Sequence, residues 1–226
     1  MPPLPRHQHR QRPRLPRPAA LLCDMDGTLV DTEHAWLDTV AGFLRAQGSP
    51  ADADTLAPFA GAALADAADR LVRDGLTALS AAEATARLDR AFTAQVAAGV
   101  TVQPGALRLL DRARALGVPT ALVTASERHV ADLVLDTLGR HRFDTSVASG
   151  EAPRGKPHPD PYLTAAAALG VDPRDCLAVE DTPTGAAAAL AAGCRLLAVP
   201  SVPGIEPGPR TVLVASLTEA DLAGAA

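Results

Sequence analysis

The feature that most constrains this chain is a short apolar run cut off by a polar residue, repeated at wide intervals. Ala19-Ala20-Leu21-Leu22-Cys23 stops at Asp24-Met25-Asp26-Gly27, Pro119 to Val123 runs into Thr124, Cys176 to Val179 into Glu180-Asp181, and Cys194 to Val199 into Pro200. Runs this short and continuous read as buried strands with polar loops at their carboxyl ends. Helical patterns separate them: Ala106 to Leu116 stops at Gly117, Val130 to Leu138 at Gly139, and Tyr162 to Leu169 at Gly170, where glycine C-caps belong. This alternation predicts an α/β fold, a parallel sheet with helices on both faces joined by right-handed crossovers. Ligands of such sheets bind beyond the carboxyl ends of the strands, where the polar residues have collected.

One stretch breaks the alternation. From about Thr32 to about Val102 only helical patterns occur, with Trp36, Val40, Phe43 and Leu44 on one face, then Leu64 to Leu71, then Ala81 to Val96. A helical insertion after the first strand would sit over the strand ends as a lid. The expected organisation is a tail over 1–18, a core over 19–31 and 103–226, and an all-helical cap over 32–102.

Charge and cysteine usage limit the function classes. Lys+Arg 21 against Asp+Glu 26 leaves −5, yet Arg6, Arg10, Arg12, Arg14 and Arg17 all precede the first acid; without them the body has 16 against 26, or −10. An acidic body argues against nucleic acid and for a small substrate whose anionic part meets a metal and a few local donors. The Pro- and Arg-rich tail has no signal-peptide core and reads as disordered, with a basic docking arm or a misassigned start as the alternatives. No apolar run is long enough to cross a bilayer; the alanine stretch from Thr184 to Ala192 is too short and too weakly hydrophobic. Cys23, Cys176 and Cys194 are odd in number without metal-type spacing, so they read as small core side chains in a reduced, cytoplasmic protein.

The chemistry-bearing residues stand at the strand ends. Asp24 and Asp26, two apart and followed by Gly27, point toward one spot because strand side chains repeat with period two. Crowded carboxylates repel unless a cation lies between them, and oxygen ligands suit a hard ion such as Mg²⁺. Taken alone, Asp-x-Asp-Gly reads equally as a turn. Of the 21 Lys+Arg residues only Lys156 is lysine, in the loop Gly155-Lys156-Pro157-His158-Pro159-Asp160, which suggests a site needing a compact ammonium, with chance as the alternative. Glu180-Asp181 adds two acids, and Thr124 a hydroxyl that could equally cap a helix, as could Ser126. His34, Trp36 and His158 are candidates to line an entrance; for His34 and Trp36 a packed helix face is the stronger reading.

In these motifs the chain resembles the haloacid dehalogenase (HAD) superfamily, in its phosphatase and phosphomutase branch with a helical cap. The resemblance runs from about Ala19 to the C-terminus, all four motifs in order. It implies a Rossmann-like parallel core and a Mg²⁺-dependent hydrolase of phosphate monoesters. Asp24 would become an aspartyl-phosphate, and Asp26 would protonate the leaving oxygen and then activate water. Thr124 would bind a phosphoryl oxygen and Lys156 would stabilise Asp24 and the transferring group. Mg²⁺ would be held by Asp24, the Asp26 carbonyl and Asp181, with Glu180 assisting directly or through water; Gly27, Thr28, Ala125 and Ser126 would contact substrate. The expected partner is a small phosphorylated metabolite, a sugar or polyol phosphate, with no nucleic acid or membrane, and the expected state a monomer.

Three alternatives differ in what they need. A carbon–halogen hydrolase needs no acid at position 26, and a phospho-receiver switch lacks the helical insertion and that second acid. A phosphomutase must grip a second phosphate, yet Ala60 to Asp66 carries no base, and Glu127 stands where mutase-like relatives place lysine; Arg128 or Arg70 would have to substitute.

Overall fold

The computed structural model describes residues 14–223. In chain order its strands and α-helices are β1 (Arg14–Leu15), β2 (Leu21–Cys23), β3 (Val30–Asp31), α1 (Glu33–Ala46), α2 (Ala53–Leu56), α3 (Leu64–Arg73), α4 (Ala81–Ala98), β4 (Thr101–Val102), α5 (Ala106–Ala115), β5 (Thr120–Val123), α6 (Arg128–Leu138), β6 (Thr145–Val147), α7 (Asp160–Ala168), β7 (Leu177–Glu180), α8 (Pro183–Ala191), β8 (Arg195–Ala198), β9 (Thr211–Leu213) and β10 (Asp221–Leu222). Six of the strands form one sheet in the order β6-β5-β2-β7-β8-β9, parallel throughout. The fold is the α/β class that the alternating pattern predicts.

Strand periodicity divides the core. Leu21, Cys23, Leu122, Leu177, Val179 and Leu197 pack on one face with apolar residues of α5 and α6. Leu22, Ala121, Val123, Ala178, Leu196 and Ala198 pack on the other with α7 and α8. Both faces are thus covered, which is why the strand sequences read as unbroken apolar runs. The alanine-rich stretch around residues 184–192 is the buried helix α8, whose small side chains let it lie close on the sheet. Among the described residues no helix is long and apolar enough to cross a membrane. The glycines after α5, α6 and α7 all have positive φ, and the three cysteines are buried and unpaired.

Helices α1–α4 lie in sequence between β3 and β4, and build a separate cluster from Trp36, Val40, Phe43, Leu44, Phe59, Leu71 and Leu88. The indole of Trp36 donates to the Phe59 carbonyl at 2.8 Å and meets Phe92 edge-on, with ring centroids 5.6 Å apart. Trp36 therefore belongs to helix packing, and His34 sits exposed against Asp31. The chain enters and leaves this helical segment side by side, because β3 and β4 pair antiparallel as Val30 with Val102 and Asp31 with Thr101. His129 in the first turn of α6 joins α4 to the sheet-bearing part through Asp89 at 3.1 Å and Thr93 at 3.0 Å.

The expectation of a disordered tail through residue 18 is corrected at its end. Arg14 and Leu15 form β1, which pairs parallel with β10, and Leu15 is buried in the same cluster as α5. An apolar side chain that can cover exposed core outweighs the disorder tendency of its Pro/Arg-rich neighbours. Residues 1–13 of that tail lie outside the described residues.

Candidate active site

The polar residues at the ends of β2, β5 and β7 and in the loop before α7 converge on one spot. Asp24 follows β2 and is buried, as are Thr124 after β5 and the Glu180-Asp181 pair at the end of β7. Lys156 reaches in from the loop between β6 and α7. Its Nζ donates to Asp24 Oδ1 at 2.6 Å, to Glu180 Oε1 at 2.7 Å and to the Val123 carbonyl at 3.0 Å, which uses all three N–H groups. Burial alone would lower its pKa; Asp24 and Glu180 outweigh that and hold it above its ordinary value, so the ammonium is charged. The one lysine retained among arginines thus fills a place where a compact three-donor head is matched by three acceptors.

Asp26 is caged by hydroxyls. Thr32 donates to its Oδ1 at 2.7 Å, while Thr124 and Ser126 donate to its Oδ2 at 3.0 and 2.8 Å. Burial and the neighbouring Asp24 raise its pKa despite these donors. Thr124 also accepts the Ser126 N–H at 3.0 Å, so one hydroxyl orders the loop after β5 and touches the second aspartate. Ala125, between them, is exposed, as is His158.

The turn after Asp26 is built around Asp181. Gly27 has φ +80°, and a Cβ there would lie 2.1 Å from Asp181 Oδ2, so both backbone conformation and space require glycine. Thr28 donates to Asp181 Oδ1 at 3.0 Å, and the Gln103 side chain donates to the Gly27 carbonyl at 3.1 Å. Burial, followed by Asp24, raises Asp181; burial raises Glu180, against the pull of Lys156.

Asp24, Glu180 and Asp181 each present a carboxylate oxygen within 4.8 Å of the others. Glu180 Oε2 is buried without a partner among the described residues. Three acids and an orphaned carboxylate oxygen fit a hard, oxygen-seeking divalent cation, since desolvated carboxylates this close need positive charge beyond a single ammonium. The Asp26 side chain is not in this group, its two oxygens being taken by hydroxyls.

Three participants were not legible as such. Thr32 and Gln103 reach the site from the borders of the helical segment, and Tyr162 reaches it from α7, donating to Glu180 Oε1 at 2.5 Å. Only Tyr162 carried a signal: it is the single tyrosine of a chain that is 3% aromatic.

A family model described as haloacid dehalogenase-like hydrolase matches residues 18–193. The chain is 36% identical over 182 residues to hexitol phosphatase A of Escherichia coli, covering 79% of this chain and 81% of that protein. It is 35% identical over 177 residues to validoxylamine A 7'-phosphate phosphatase of Streptomyces hygroscopicus subsp. limoneus, covering 76% and 81%. Among solved structures, CbbY of Rhodobacter sphaeroides in complex with phosphate superposes with a TM-score of 0.77 at 25% identity, covering 89% of this chain and 96% of that one.

Proposed function

The chain belongs to the haloacid dehalogenase-like hydrolase family, and from that premise we propose that it is a Mg²⁺-dependent phosphatase of small sugar or polyol phosphates, working through an aspartyl-phosphate on Asp24. The observation that carries this reading is the 2.6 Å contact between Lys156 Nζ and Asp24 Oδ1, beside the carboxylates of Glu180 and Asp181. The phosphatase names of its relatives, hexitol phosphatase A among them, support the substrate class.

Asp24 attacks the phosphorus in line with the leaving oxygen; the new O–P bond forms as the ester P–O bond breaks. Lys156 neutralises one oxygen of the nucleophile, which leaves the other to attack, and its charge stabilises the transferring group. Asp26, whose pKa is raised by burial and Asp24, supplies the proton to the departing alkoxide. Now ionised, it takes a proton from the water that attacks the aspartyl-phosphate and regenerates Asp24. Thr124 and Ser126, with the backbone of Gly27, Thr28 and Ala125, would contact the phosphoryl oxygens, while their hydroxyls stabilise Asp26 once it has given up its proton. Asp24, Asp181 and Glu180, with the Asp26 carbonyl, would hold the divalent ion. That ion supplies charge neutralisation at the phosphoryl oxygens. The helices of 32–102 act as the cap that excludes bulk water.

Hydrolysis is preferred over phosphomutase chemistry because the candidate grips for a second phosphate are engaged elsewhere. Arg128 binds Glu151 and donates to Ser146 Oγ at 2.8 Å, and Arg70 faces Asp74 at 3.7 Å. The deciding experiment follows phosphate release from an aryl phosphate in Mg²⁺ by wild type and Asp24→Asn. Loss of release in the variant is expected, and wild-type speed in the variant rejects the nucleophile. Offered β-glucose 1-phosphate and a trace of the bisphosphate, the enzyme should liberate phosphate; isomer without free phosphate reverses the choice.

A further inference from the structure

We propose that Tyr162 is a positioning residue which, through Glu180, holds the ammonium of Lys156 on the carboxylate of Asp24; the inference rests on the phosphatase reading above. Tyr162 is fully buried. Its hydroxyl donates to Glu180 Oε1 at 2.5 Å, the same oxygen that accepts from Lys156 Nζ at 2.7 Å, and its ring centroid lies 5.3 Å from that Nζ. The two donors converge on one carboxylate oxygen, and Oε2 has no partner among the described residues.

One face of this carboxylate lies against bare backbone. Gly185 of α8 lies against it so tightly that a Cβ there would come within 2.0 Å of both oxygens. Glu180 is therefore seated between bare backbone and the phenol. Lys156 has no spare donor: its three N–H groups go to Asp24, Glu180 and the Val123 carbonyl, so displacing the Glu180 oxygen moves the ammonium on Asp24. Removing the hydroxyl leaves Glu180 Oε1 held by Lys156 alone, and the carboxylate can shift away from Gly185 into the space the hydroxyl leaves, taking Oε1 off the position that aims the ammonium. The ring supplies packing and a cation–π contact that phenylalanine retains, so the hydroxyl can be tested by itself.

The chain carries one lysine and one tyrosine, so isotope labelling of each residue type reports a single site. In Tyr162→Phe, kcat for an aryl phosphate should fall about 10-fold to 100-fold, the loss of one hydrogen bond to a charged group, while KM changes less than about twofold. The side-chain nitrogen signal of ¹⁵N-lysine should move in the same variant. Unchanged kcat overturns the proposal, and so does a fall in kcat with an unmoved lysine signal, since the effect would then bypass Lys156. Should the variant not fold, tyrosine-labelled wild type decides: a slowly exchanging Tyr162 hydroxyl proton close to the Lys156 ammonium is expected, and one in rapid exchange with water overturns the idea. If wild type itself releases no phosphate, the phosphatase reading fails while the lysine signal still tests the positioning.

Discussion

Two glycine-to-alanine substitutions should shift stability in opposite directions, although both lie in helices. Gly42 sits in α1, exposed, with nothing within 4 Å of a Cβ built on it. Alanine there restricts the unfolded chain and favours helix, a gain of about 0.4–1 kcal/mol. Gly185 in α8 would earn the same helical gain, but its Cβ would lie 2.0 Å from the Glu180 carboxylate oxygens, where real contacts essentially never fall below 3.0 Å. The carboxylate must shift by about 1 Å or more, and it is pinned by Lys156 at 2.7 Å and Tyr162 at 2.5 Å. Breaking one of these charge-assisted bonds costs about 1.5–3 kcal/mol. The net for Gly185→Ala is a destabilisation of about 1–2 kcal/mol, set against the stabilisation at position 42. Urea unfolding in a chelator, read as the midpoint at constant m, measures both. A midpoint that rises in Gly185→Ala as it does in Gly42→Ala refutes the seating of Glu180.

The buried acids give a pH dependence. Asp26, Glu180 and Asp181 all have folded-state pKa values raised above their ordinary range, Glu180 and Asp181 to about 7. A raised carboxyl favours folding while protonated, so its contribution is present below the unfolded pKa and is lost as pH climbs through the folded value. Chelated protein should therefore melt at lower temperature at pH 8 than at pH 5.5, with Mg²⁺ raising Tm more at pH 8; a chelated Tm that holds steady over this interval contradicts the assignment. Leu15→Ala should cost about 2–4 kcal/mol by denaturant titration, because Leu15 is buried in the core through β1; a cost below about 0.5 kcal/mol would place that strand outside the folding unit.

Sequence legibility followed burial. The central strands β2, β5, β7 and β8 could be read because each is apolar and ends abruptly. The edge strands β6 and β9 could not: Thr145, Ser146, Thr211 and Val212 are half-buried, so they show neither a continuous apolar run nor a clean alternation. The pairings β1–β10 and β3–β4 involve two residues each and depend on partners far along the chain. At the site, Asp24, Asp26, Thr124, Lys156 and Glu180-Asp181 announced themselves as polar interruptions, and the structure brings them together. The hydroxyl of Thr32 on Asp26 left no local trace, and Tyr162 stood out only as the chain's single tyrosine, because each meets its partner only through tertiary packing.

The antiparallel pairing of Val30 with Val102 and Asp31 with Thr101 means that the helices between them attach to the sheet as a cassette with both ends at one socket. Closing a longer or shorter excursion from such a socket changes the entropy only logarithmically with length. Lengthening or trimming the helical excursion should therefore cost the sheet little, as long as Val30 and Val102 still meet at the socket.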